Sequence, residues 1–149
     1  DLMFMRTYKE EGMTAIEKIL FIVTFCFGFS TSIRGGYWTF NLNATNDSEL
    51  YASLNNLLSL HFWGALFLLS GVLLIISAFF IFKHEVNNTF YTLLMFGGLI
   101  GCVPYAFLGM AGMENAINLI TPGQNIVHCG MLFLCAYVGG SALWKRRRT

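Results

Sequence analysis

Arg34 closes the first apolar run of this chain and His61 opens the second. Glu114 and Asn118 follow the third run, and Gln124, Asn125 and His128 open the fourth. If successive runs are helices of alternating direction, these side chains all lie at one level and line a candidate outer polar pocket. Ionisable groups at membrane depth are functional hypotheses by default, and their strength rises with depth. His61 and His128 lie within about two turns of a run's end, where hydrogen bonding between helices or to interfacial water is the ordinary role. The sharper chemistry is ligation. Two histidines on facing helices could hold haem b, or a metal ion together with Glu114. The spacing by itself implies neither a metal nor a resident cofactor, and haem b stands as the alternative.

Other chemistries lack their residues. Cys26, Cys102, Cys129 and Cys135 fall inside apolar segments with no C-x-x-C, so they read as small packing residues. No nucleophile elbow, phosphate loop or H-E-x-x-H occurs. A proton or ion path would need acids deeper than Glu114, and the centres of the apolar runs hold none. The expectation is a protein that is not an enzyme.

The elements that must position these groups are membrane spans. Hydrophobic residues make up 56% of the 149 and charged residues 11%, against roughly a quarter charged in soluble domains. Residues 57–82 form the anchor of the reading, because from Phe62 onward the run holds only apolar and small residues. At ~1.5 Å per residue it can cross a ~30 Å hydrocarbon core. The other spans are expected at 16–33, 90–113 and 122–144, with outer loops at 34–56 and 114–121 and an inner loop at 83–89. The fold class is all-α: a single integral membrane domain over 1–149, built as a four-transmembrane-helix antiparallel bundle.

Local signals set the boundaries. Thr14 with Glu17 three residues on spells a capping box, and Thr121-Pro122-Gly123-Gln124 spells another helix start. Gly35-Gly36 is expected to end the first helix, with Tyr37 and Trp38 in the interfacial belt. Asn46 or Asp47 is expected to cap the helix after the loop; Asn43 and Asn46 also begin formal glycosylation sequons. Pro104 should kink the third span. Gly64 and Gly71, and Gly97-x-x-x-Gly101, make small-residue faces for helix packing. From Met3 to Lys18 an amphipathic lead-in carries Arg6, Lys9 and Lys18, and Met3, Met5 and Met13 are candidate starts. No cleavable signal peptide is read there.

Basic residues orient the bundle. Arg6, Lys9, Lys18, Lys83 and Lys145, Arg146, Arg147 and Arg148 fall on one side, with Arg34 alone on the other. The positive-inside rule then puts both termini in the cytoplasm, the last four cations serving as an inner-leaflet anchor.

The segments Ile33-Arg34-Gly35-Gly36-Tyr37-Trp38, Phe62-Trp63-Gly64-Ala65-Leu66-Phe67, Ala111-Gly112-Met113-Glu114-Asn115-Ala116 and Gly139-Gly140-Ser141-Ala142-Leu143-Trp144 resemble the small four-span, holin-like membrane proteins of phages and prophages of Gram-positive bacteria. The resemblance implies a bacterial cytoplasmic membrane, no enzymatic activity and self-association. On this reading the chain acts by assembling with itself or with a membrane-protein partner, permeabilisation being the most concrete form. The alternative is an accessory or anchor subunit of a larger membrane complex. Membrane lipids are the expected surroundings, and nothing points to nucleic acid.

Overall fold

The computed structural model describes residues 14–83, 88–115 and 119–148. The N-terminal lead-in up to residue 13, with Met3, Met5 and Met13, most of the connection at 83–89, and Asn118 lie outside the described residues. The described residues form five α-helices: α1 (Ala15–Phe40), α2 (Glu49–Leu57), α3 (Leu60–Phe79), α4 (Thr89–Asn115) and α5 (Ile120–Arg146). Short 3₁₀ turns occupy Ala44–Asn46 and Ile81–Lys83. No strand occurs among the described residues. Helices α1, α3, α4 and α5 are each long and apolar enough to cross a membrane, so the chain is a small integral membrane protein.

The capping box at Thr14 is formed as the sequence predicts. Glu17 N donates to Thr14 Oγ1 at 3.2 Å, and Thr14 N donates to Glu17 Oε2 at 2.8 Å. The end of α1 differs from expectation. The helix runs through Gly35-Gly36 and stops at Phe40. Gly35 is used for closeness rather than for a turn: a Cβ there would lie 2.7 Å from Leu68 Cα and 2.8 Å from Gly64 O. As a result Arg34 sits well inside α1 rather than at its end. Trp38 leaves the expected interfacial belt for the core, 2% exposed, with its ring against Tyr51 and Phe67.

The segment expected as one polar outer loop contains α2. Ser48, not Asn46 or Asp47, is the cap, its Oγ accepting from Leu50 N at 3.1 Å. Leu50 and Leu54, one turn apart, face the core, and this is what holds so short a helix in place. A second serine, Ser59, caps α3 by accepting from Phe62 N at 3.3 Å, so the expected continuous span 57–82 begins only at Leu60. Trp63 Nε1 donates to Leu54 O at 3.3 Å and ties α2 to α3. Helix α5 starts at Ile120 with Leu119 at the cap and no side-chain cap bond, instead of at a Thr121 cap. Pro122 then falls within the first turn, where a missing N–H costs nothing.

Helix α1 packs along α3, α3 along α4, and α4 along α5. Gly28 meets Gly71 while Gly35 meets Gly64, so numbers fall along α3 as they rise along α1. The same holds between α4 and α5, where a Cβ at Gly98 would lie 2.8 Å from Ala136 N and one at Gly139 2.8 Å from Met95 N. Lipid tails are as apolar as leucine, so no hydrophobic term drives these seams together. Close van der Waals contact and interhelical hydrogen bonds must do it. Ser70 supplies one such bond, donating to Gly97 O at 2.7 Å between α3 and α4.

All the small-residue positions singled out from the sequence lie in these internal seams. Gly64 and Gly71 abut α1, Gly97 abuts Leu73 and Leu74, and a Cβ on Gly101 would collide with Ser70 Oγ and lie 2.9 Å from Leu132 Cδ1. Their faces are buried within one chain and are not available to a second copy.

Candidate functional site

A buried aromatic column sets the floor of the site. Trp38, Phe67 and Tyr105 follow one another edge to face, with ring centroids 5.4 Å and 4.7 Å apart. Edge-to-face contact brings a positive ring edge onto a negative ring face, which fixes orientation as well as filling space. Tyr105 is 1% exposed and lies next to Pro104, where α4 carries its proline.

Arg34 of α1 lies over this column. Its guanidinium carbon is 5.2 Å from the Tyr105 centroid and 5.9 Å from that of Phe67. One nitrogen donates to Asn125 Oδ1 of α5 at 3.0 Å. Among the described residues Arg34 meets no carboxylate, so ring quadrupoles and an amide oxygen replace the counter-ion that a cation at membrane depth ordinarily needs. His128, one turn along α5 from Asn125, packs its ring 5.1 Å from Tyr105 and 5.2 Å from Phe27 of α1. Asn125 is 2% exposed. Its Nδ2 and the Nδ1 of His128 have no hydrogen-bond partner among the described protein atoms. Each is a buried polar group that a small polar molecule would satisfy.

Of the polar groups expected at one level, the structure gathers Arg34, Asn125 and His128. The others go elsewhere. His61 Nδ1 lies 3.0 Å from Trp38 O and 3.1 Å from Thr39 O. Both partners are carbonyls, so Nδ1 carries the proton and donates, closing the C-terminus of α1. Glu114 and Gln124 are exposed.

The histidine pair considered for haem is not assembled. Phe27, beside His128, and Trp38, beside His61, are eleven residues apart on α1, about 16 Å along the axis. Among the described residues no three His, Cys, Asp or Glu side chains come together as a metal site would require.

Phe27, Phe67 and Tyr105 join the site although no sequence motif marks them as site residues. Nothing distinguishes the phenylalanines among the 15 in the chain. Tyr105, a hydroxyl-bearing ring inside an apolar run and beside a proline, is the one that carried a readable signal.

At the opposite end of α5, Arg146 donates to Asn88 Oδ1 at 2.9 Å and stacks 5.0 Å over Tyr91, while Arg148 lies 4.8 Å over Trp144. Cations at a helix C-terminus meet the negative end of the helix dipole. The basic terminus therefore helps to fasten α5 to α4 as well as carrying charge.

No family model matches the chain, and neither a curated protein nor a solved structure shows significant similarity to it.

Proposed function

We propose that this chain is a non-enzymatic, holin-like membrane protein of phage or prophage type that acts by assembling in the bacterial cytoplasmic membrane. Its helices then form an antiparallel four-span bundle with both termini inside, Lys145 to Arg148 resting on the anionic inner leaflet. The observation that carries the reading is the difference between inner and outer helices. Buried residues make up 44% of the apolar windows of α3 and α4, but 11% of that of α1 and 17% of that of α5. With the glycine seams spent inside the bundle, the remaining contact surface is the outer apolar stripe of α1, at Ile19, Ile22, Phe29 and Ile33, together with the matching face of α5. Assembly through α1 replaces the Gly97/Gly101 association that the sequence alone invites.

Cys26 lies exposed on this stripe and serves as the reporter. Induced expression in a bacterium with a potential-sensitive dye is expected to give abrupt depolarisation. Oxidative cross-linking in the same membranes is expected to give a dimer that vanishes in Cys26→Ser. An inserted protein that neither depolarises the membrane nor cross-links through Cys26 would overturn the proposal in favour of an accessory or anchor subunit, whose outer faces await a different partner.

A further inference from the structure

Helices α1 and α5 are joined at the Arg34–Asn125 and Phe27–His128 contacts. Towards the start of α1 and the end of α5 they part. The gap is a cleft of 570 Å³, walled by Leu20, Thr24, Leu134 and Val138 and floored by Tyr91 and Leu94 of α4. Its volume falls in the range of small-ligand sites, which run from roughly 300 to 1,000 Å³.

From these features we propose that the cleft binds one acyl chain of an anionic phospholipid, whose headgroup rests on the basic end of α5. The α1 wall from Thr14 to Thr24 is about 15 Å long, a groove along which an extended acyl chain can lie. Chemistry argues for a lipid: the walls are apolar and lie between helices that face hydrocarbon. Charge selects the headgroup. Tyr91 forms part of the floor and carries the Arg146 guanidinium on its ring, with Lys145, Arg147 and Arg148 adjacent. Trp144, 58% exposed under Arg148, marks the level of the membrane interface. Glu17 is the described acid that lines this cleft, and its carboxylate accepts from Thr14 N at the start of α1. Cations exceed it at this end and attract an anionic surface.

Native mass spectrometry tests the site, using protein purified in mild detergent and supplied with phosphatidylglycerol or phosphatidylcholine. The expected result is one phosphatidylglycerol retained after the detergent is stripped, at least several-fold above phosphatidylcholine. Leu134→Trp fills the cleft from a position 61% exposed and should abolish retention while melting like wild type. Lys145→Gln/Arg147→Gln/Arg148→Gln spares the Arg146 contacts with Tyr91 and Asn88 that fasten α5 to α4, so it leaves the cleft intact and should sharply reduce the preference between the two lipids. No retained lipid, equal retention of both lipids by wild type, or unchanged preference in the triple variant would overturn the proposal. So would full retention by a folded Leu134→Trp.

Discussion

Arg34 and Asn125, 91 positions apart, share a hydrogen bond of 3.0 Å that fastens α1 to α5 at the level of the Tyr105 ring. It is a strut between the two least buried spans. Asn125→Leu removes the acceptor and leaves the guanidinium on the rings alone. The expected loss is about 1–2 kcal/mol, the scale of interhelical polar contacts in membranes, read as a lower midpoint for unfolding in mixed micelles. Arg34→Lys should lose most of that as well, because a compact ammonium cannot both reach the amide and lie flat over Tyr105. Wild-type midpoints for both variants would remove the strut from the account.

The glycine pair at the Arg34 level gives a sharp comparison. A Cβ on Gly35 meets the Leu68 backbone, which cannot yield, whereas one on Gly36 meets nothing within 4 Å. Gly35→Ala should therefore cost about 1–3 kcal/mol by overpacking. Gly36→Ala should be neutral or slightly stabilising through its helix propensity. Parallel thermal melts in detergent decide it, and equal effects at the two positions would contradict the α1–α3 seam.

Ser70 and Gly101 are expected to be coupled. A methyl group on Gly101 falls on Ser70 Oγ, the hydroxyl that bonds Gly97 O. Gly101→Ala should displace that hydroxyl and cost both the bond and the strain. Ser70→Ala removes the bond at a cost of ~0.6 kcal/mol and also removes the colliding atom. The double variant should thus be less destabilised than the sum of the singles by about 0.5–1 kcal/mol. Strict additivity in a double-mutant cycle would count against the contact.

His61 acts on a helix end. With Nδ1 donating to the Trp38 and Thr39 carbonyls, His61→Ala should leave those acceptors short of a partner and cost about 1 kcal/mol. Hydrogen exchange should rise locally, over the last turn of α1 and the turn after it. An increase spread evenly over the whole chain would point to a different role.

The membrane class of this protein, its apolar helices and the Thr14–Glu17 cap were legible in the residues, since each rests on a local property: length of an apolar run, or one side chain three residues from another. Boundaries that turn on packing were not. Gly35-Gly36 looks like a stop signal because glycine readily takes the left-handed conformation that ends helices, yet here neither glycine adopts it and Gly35 lets Leu68 pack closely. The α2 helix was hidden in a polar stretch because its stability comes from Leu50 and Leu54 seating on the core rather than from its own propensity.

The candidate site divides the same way. The sequence alone determined that Arg34, His61, Asn125 and His128 lie towards the ends of apolar segments, because position along a chain fixes depth in a bilayer to within a turn or two. Which of them meet depends on the rotation of each helix about its own axis. That rotation is chosen by the glycine seams between α1 and α3 and between α4 and α5, where backbones touch. Tertiary structure therefore decided that Arg34 faces Asn125 and Tyr105, that His61 turns back onto α1, and that Gly97 and Gly101 are spent inside the bundle. Periodicity gives each helix several small or polar faces, and only the closest packing of all the helices at once selects which face turns inward.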